Sequence, residues 1–206
     1  IQAASSTRAE IFGLEDPRTG ESFFNTGILC RYAGHPEKAL PALQIALRTE
    51  SQQHGEESVE ASNVLFCLGT VLAQQGRLEE AVEHLQTSYS IREKRLGTQD
   101  PLTADSAHNL SVIFRKLSLL EEAESFALLA LEVRMEAAGE QSLPFADSMY
   151  NMAKILQAQR KTTDAICLFY KACDIFILAL GPDHSKTVEC FSCLSALQES
   201  AGLPVV

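Results

Sequence analysis

Residues 65–85 read Leu65-Phe66-Cys67-Leu68-Gly69-Thr70-Val71-Leu72-Ala73-Gln74-Gln75-Gly76-Arg77-Leu78-Glu79-Glu80-Ala81-Val82-Glu83-His84-Leu85. Leu65, Leu68 and Leu72 recur at the spacing of one helix face, with the small Gly69 on the same packing side. Gln75-Gly76-Arg77 breaks the pattern. Leu78-Glu79-Glu80-Ala81 then opens a second amphipathic run, continued by Val82, Leu85, Tyr89, Ile91 and Leu96. Gly97 closes that run and is expected in the left-handed conformation that Gly alone adopts without steric cost. Asp100-Pro101 begins the next helix, because Pro is tolerated in a first turn. The stretch therefore predicts two helices joined by a tight turn, and no alternating strand pattern competes with it.

Working outward, the unit repeats. Gly13, Gly55, Gly97, Gly139 and Gly181 are each 42 residues apart, and so are Ala39, Ala81, Ala123 and Ala165. A third series holds only small residues: Gly27, Gly69, Ser111, Ala153 and Ser195. A fourth is mostly large and apolar: Phe23, Leu65, Ala107, Met149 and Phe191. Small side chains have a physical task where two helices cross, since a large one would hold the backbones apart. Gly69 and Ala81 lie 12 residues apart, and the same 12 separates Gly27 from Ala39, Ser111 from Ala123 and Ala153 from Ala165.

This arrangement resembles the tetratricopeptide repeat, large-x2-Leu-small-x2-large followed by Ala-x3-large. Leu65, Leu68, Gly69, Leu72, Ala81 and Leu85 match it, as do Met149, Met152, Ala153, Leu156, Ala165 and Phe169. The usual period is about 34. Because the 12-residue spacing is kept, the additional residues are expected after Ala81, in a longer second helix and its exit loop. A period of 42 also suits HEAT or armadillo arrays. The fixed pair of small residues favours the tetratricopeptide reading.

The exit loops narrow the resemblance. Residues 91–110, Ile-Arg-Glu-Lys-Arg-Leu-Gly-Thr-Gln-Asp-Pro-Leu-Thr-Ala-Asp-Ser-Ala-His-Asn-Leu, and residues 180–188, Leu-Gly-Pro-Asp-His-Ser-Lys-Thr-Val, are similar to the 42-residue repeats of kinesin light chains and their relatives. The resemblance covers nearly the whole chain. It implies an all-α fold, a right-handed superhelical solenoid of antiparallel helix pairs whose first helices line a concave groove. On that reading residues 1–206 form one array. Residues 1–16 end a preceding repeat, 17–56, 57–98, 99–140 and 141–182 are complete helix pairs, and 183–206 form a final half-repeat closed by Gly202-Leu203-Pro204. The start at Ile1, without an initiator Met or an apolar leader, reads as a fragment of something longer. Arg160 stands where the family has Gly after the first helix, and Cys67 and Cys193 where it has Asn.

Composition limits the function. The chain has 206 residues, 46% of them hydrophobic, and carries 17 basic against 27 acidic residues for a net charge of −10. Such a chain repels phosphate backbones, which argues against general nucleic-acid binding. No apolar run reaches the ~18 residues of a membrane span. Six cysteines without paired ligand spacing read as reduced thiols of a cytoplasmic protein. Cys190-x-x-Cys193 is a lone pair on a predicted helix, and the five histidines fall on different units, so no metal, cofactor or catalytic group is expected. No phosphate-binding loop or nucleophile elbow is present. Glu79-Glu80 and Glu121-Glu122 open second helices, where carboxylates complement the helix dipole.

The resemblance places the candidate site on the first helices. In the family, the Asn before the central Leu points into the groove and bonds the backbone of an extended peptide, because a carboxamide both donates and accepts. By that resemblance Asn25, Asn109 and Asn151 are candidates. One position earlier stand Phe24, Phe66, His108 and Tyr150, of which the aromatics suit anchoring of a ligand side chain. Arg31 and Tyr32, then Arg115 and Lys116, follow the small position, and Lys154 follows Ala153. Arg115, Lys116 and Lys154 form a basic strip in an acidic chain, fit for an acidic peptide. The expected function is a non-enzymatic adaptor that binds a protein or peptide partner. Two alternatives stand beside it. One is a structural subunit of a cytoskeletal or ciliary assembly, using the convex face. The other is a regulatory array of a larger signalling enzyme.

Overall fold

Helix boundaries recur with the period of the sequence. The computed structural model describes residues 2–13 and 16–203. Ile1, in the expected tail of a second helix, and Pro204, expected to help end the last one, lie outside the described residues. Ten α-helices and no strand are found among them: α1 (Gln2–Phe12), α2 (Pro17–Tyr32), α3 (Pro36–His54), α4 (Val59–Gln74), α5 (Leu78–Leu96), α6 (Pro101–Lys116), α7 (Leu120–Ala138), α8 (Leu143–Ala158), α9 (Thr162–Leu180) and α10 (Ser185–Ser200). The all-α expectation holds. The first helices α2, α4, α6, α8 and α10 each have 16 residues, and the second helices α3, α5, α7 and α9 each have 19. The residues beyond a usual repeat therefore lengthen the second helix, as the spacing requires.

Local chemistry sets these boundaries. Each first helix starts at a side-chain cap: Asp16 accepts from Arg18 N, Ser58 from Ala61 N, Asp100 from Leu102 N, Ser142 from Phe145 N and His184 Nδ1 from Lys186 N. The caps satisfy amides that the helix leaves free. The second helices have no side-chain cap at His35, Arg77, Leu119 or Lys161. Their first turns carry carboxylates instead, Glu79 and Glu80 in α5 and Glu121 and Glu122 in α7. Gly97 ends α5 at φ 93° and ψ 167°. That differs from the left-handed helical region expected of it. The chain turns out into an extended, Gly-only conformation so that Thr98–Asp100 can lead straight to the next cap.

The chain divides into two compact units, Ile1–Asn109 and Leu110–Val206, with the boundary inside α6. In the first unit, α2 packs on α3 and α4 on α5, and α3 and α4 join the two hairpins. Its core holds Ala39, Leu43 and Ala46 of α3 against Val64, Leu68 and Val71 of α4. The crossing of α4 and α5 needs Gly69: a Cβ there would lie 2.5 Å from Leu85 Cγ and 3.1 Å from the Ala81 carbonyl oxygen. In the second unit, α8 and α9 form a hairpin flanked by α7 and α10. Phe169, Phe176, Ile155 and Leu194 are among its large, fully buried side chains. Burying each contributes roughly 1.5–3 kcal/mol. Phe114, on the last turns of α6, stacks on Phe126 of α7 with ring centroids 5.7 Å apart.

Candidate functional site

In the second unit, polar side chains from the end of α6, from α8 and from α10 meet on one side of the first helices. Tyr150 Oη donates to Glu189 Oε1 at 2.6 Å, and Lys154 Nζ reaches the same oxygen at 3.0 Å. Lys154 also stands over the Tyr150 ring, 4.6 Å from its centroid. The ring packs edge-on against Phe169 and Phe176 at 5.7 and 6.3 Å, which holds it in place. Asn151 Nδ2 donates to Ser111 Oγ at 2.6 Å, and Arg115 Nε donates to Asn151 Oδ1 at 3.4 Å. Cys193 Sγ lies 3.6 Å from Tyr150 Oη. Lys116 is exposed beside Arg115. Nearer the helix starts, Lys186 pairs with Asp147 at 2.7 Å.

The electrostatics follow from these pairings. The hydrogen bonds from Tyr150 and Lys154 hold the Glu189 carboxyl below the ordinary carboxylate range. Burial and the bond to Glu189 push the Tyr150 phenol up, so it stays a donor. Burial lowers the Arg115 guanidinium from its usual value, opposed by Tyr150, Cys193 and Glu189. The strip is therefore basic but already carries an internal anion. Glu189 keeps 58% of its side chain exposed while Lys154 keeps 23%.

The candidates fall into two groups. Arg115, Tyr150, Asn151 and Lys154 come together as described. Asn151 is 4% exposed, with both ends of its carboxamide engaged by Ser111 and Arg115. In the first unit, Asn25 is exposed on α2, and Asn109 is half-buried and donates from Nδ2 to the Asp105 carbonyl at 2.9 Å. Phe24 and Phe66 pack against the α3–α4 core, and Arg92 covers the Phe66 ring at 4.7 Å. His108 is half-buried. Arg31 lies over the ring of the exposed Tyr32 at 4.4 Å. Lys161 and Gln159 reach Glu124 on α7, at 3.3 and 2.6 Å.

Two features escaped the reading of the sequence. Glu189 is the first. It lies four residues before Cys193, one helical turn, and so shares the face of the Asn register; that spacing was the available signal. The second is the buried Arg92. The cysteines hold no ligand geometry. Cys190 is a free thiol buried against the Phe169 carbonyl, and its hydrogen bond with the free Cys173 together with burial pushes its thiol up. Among the described residues, no three His, Cys, Asp or Glu side chains are grouped to hold a metal ion, and no helix is long and apolar enough to cross a membrane.

Comparison with known proteins agrees with the architecture. Family models described as "Tetratricopeptide repeat" match residues 53–136 and 145–185, together more than half of the chain. No curated protein sequence matches it. Among solved structures, it is similar to BtubC (BKLC) from P. vanneervenii, with a TM-score of 0.80 and 21% identity over 97% of this chain and 82% of that one. It is similar to a Podosopora anserina putative kinesin light chain with nearly identical TPR-like repeats, with a TM-score of 0.74 and 18% identity over 91% and 89%. A Rap protein complexed with competence and sporulation factor matches with a TM-score of 0.72 and 15% identity, over 87% of this chain and 48% of that one. At these identities the likeness is one of fold. With the periodic helix pairs, capped first helices and small crossing residues, the chain belongs to the tetratricopeptide-repeat family, and its repeats are of the kinesin-light-chain-like kind.

Proposed function

We propose that this chain is a non-catalytic cytoplasmic scaffold that holds an acidic segment of a partner protein on the first-helix side of its second unit. The observation that carries this reading is the pairing of Lys154 with a half-solvated Glu189, beside Arg115 and the exposed Lys116. A partner carboxylate that displaces Glu189 gains Lys154 and Arg115 without having to order either side chain, since both are already held. The Tyr150 ring supplies an apolar edge next to the cations. A Rap protein to which this chain is similar in fold is complexed with competence and sporulation factor, which supports a ligand-binding reading. Asn151 contributes by fixing Arg115 rather than by bonding the peptide backbone, because its carboxamide is engaged.

The test is fluorescence anisotropy with labelled peptides that alternate acidic and aromatic residues, against neutral counterparts. Lys154→Glu is expected to weaken the acidic peptide by about tenfold or more, the cost of removing one charge-assisted contact and adding repulsion. Glu189→Gln is expected to strengthen it several-fold, since the internal competitor is gone. Glu189→Gln, on an exposed side chain, should not alter thermal stability greatly. Equal binding of acidic and neutral peptides, or affinity indifferent to both variants, would remove this face as the site.

A further inference from the structure

The opposite, second-helix side of the second unit carries a surface that the proposed peptide site does not use. Helices α7 and α9 flank a groove of about 750 Å³, walled by Leu131 and Met135 on one side and Leu168 and Leu178 on the other, over Phe145 and Met149 of α8. Its apolar side chains stand open: Leu178 is 79% exposed and Met135 40%. Leu128, on α7 one turn before Leu131, is 52% exposed. The repeat itself provides the control. Met135 takes the place of Ser51 and Glu93 in the two preceding periods, Leu178 that of Lys94 and Glu136, and Leu128 that of Gln44 and Gln86. The helices of those periods form with polar residues there, so folding does not require the apolar ones. An open apolar channel that the fold does not need is the mark of a docking surface.

Its charge decides the occupant. Glu140 in the turn and Asp174 on α9 line the opening and are exposed, and Glu132 and Glu136, next in sequence to Leu131 and Met135, are exposed on α7. Lys171 is the basic residue lining it, and Arg134 of α7 is engaged by the Pro144 carbonyl and Ser148 Oγ. A second copy of this chain would bring the same acidic rim and another net −10, so like charges would face each other. A channel between two helices takes the ridge of a third, read as apolar residues at i, i+3 or i+4 and i+7. We infer that the α7–α9 groove binds an amphipathic helix of a partner protein, with an apolar ridge in the groove and Lys or Arg flanks against its acidic rim.

The probe is a labelled Leu/Lys amphipathic peptide of about five helical turns, with a Leu/Glu peptide of the same pattern as its counterpart, read by anisotropy at physiological salt. The Leu/Lys peptide is expected to bind and the Leu/Glu peptide not. Leu178→Glu and Met135→Glu, which restore the polar kind of residue found one period earlier, are each expected to weaken binding about tenfold or more. Each also adds negative charge, which would strengthen a purely electrostatic association, so the direction separates the two modes. Lys154→Glu, on the first-helix side, should not weaken binding, which keeps this surface distinguishable from the peptide site. Leu178 is exposed, so the fold survives its substitution, and a melting curve verifies that. Binding unchanged or strengthened in Leu178→Glu overturns the inference, as does preference for the Leu/Glu peptide. Self-association in sedimentation that Leu178→Glu abolishes also overturns it, in favour of a second copy.

Discussion

At the turn after each first helix, one residue per period takes a positive φ: 75° at Gly34, 78° at Gly76, 62° at Ser118, 64° at Arg160 and 68° at Gly202. Each turn closes with the same bond, from His35 N to Cys30 O, Arg77 N to Leu72 O, Leu119 N to Phe114 O, Lys161 N to Leu156 O and Leu203 N to Gln198 O, at 2.9–3.0 Å. The backbone therefore keeps one geometry whether or not the residue is Gly. For Ser118 and Arg160 the Cβ meets the following carbonyl at a cost of roughly 1–2 kcal/mol, which the greater unfolded freedom of Gly offsets in part. Ser118→Gly and Arg160→Gly are each expected to raise stability by about 0.5–1 kcal/mol. Urea unfolding measures this, and a loss of stability in both would mean that their side chains do more than the turn requires. Arg160 stands out in the sequence as a departure from Gly, and Ser118 carries the same signal one period earlier. The sequence could not distinguish which Gly-only conformation Gly97 adopts, because glycine is permitted in both.

At the scale of the helix pair, an arginine on the second helix reaches across to the next first helix. Arg92 is 2% exposed. Its guanidinium donates to the Leu102 carbonyl at 2.7 Å, to Ser106 Oγ at 2.9 Å and to Asn63 Oδ1 at 2.7 Å. In the second unit Arg134 repeats this with the Pro144 carbonyl and Ser148 Oγ, and near the start Arg8 repeats it with the Arg18 carbonyl and Ser22 Oγ. The register explains the exceptions. Where Glu50 replaces the arginine, Val64 replaces the serine, and where Phe176 replaces it, Cys190 does. Burial lowers the Arg92 guanidinium from its usual value, with Asp105 and Asp100 supporting its charge from further off. Arg92→Ala would leave three acceptors without their donor, the buried Ser106 hydroxyl among them, and is expected to cost about 3 kcal/mol, and Arg92→Lys about 1–2 kcal/mol, because an ammonium cannot span the same fork. Denaturant unfolding of both variants tests this; equal, negligible losses would show that the contacts are not energetically coupled. The Ile91-Arg92-Glu93-Lys94 motif is plain in the sequence. Its burial is not, because an arginine reads as a surface residue until its acceptors are known.

Over the whole molecule, what repeats was legible and what pairs was not. Crossings, caps and turns recur because each period must solve the same packing problem, so the 42-residue series exposed the helix pairs. The polar face depends on single partners, such as Glu189 for Lys154 and Ser111 for Asn151, and counting positive charges on a face misses them. The open apolar groove was missed for the same reason. Leu128, Met135 and Leu178 satisfy the helical pattern, and only their exposure sets them apart.

The same pairings govern how an acidic chain responds to acid. Hydrogen bonds from Arg18, Lys94, Arg77, Gln159 and Tyr150 hold Asp16, Glu57, Glu80, Glu124 and Glu189 below their ordinary values. A carboxyl depressed in the folded state contributes stability at neutral pH, which is lost as pH falls below its ordinary value, 4.5 for the glutamates and 3.8 for Asp16. Glu50 acts in the opposite sense, because burial raises it and protonation relieves it. His84 adds a separate, earlier step. Burial lowers it from the ordinary 6.5, so the folded chain binds fewer protons there than the unfolded one. Stability then begins to fall as pH drops through about 6.5, while the carboxylates are still charged. Melting temperatures are thus expected to decline in two stages on acidification, a shallow one that sets in as pH falls through about 6.5 and a steeper one below about pH 4.5. His84→Gln should flatten the first stage and leave the second. Persistence of the shallow stage in that variant would assign it to another group, whereas its loss would show that a single half-buried imidazole on α5 sets the upper edge of the acid response.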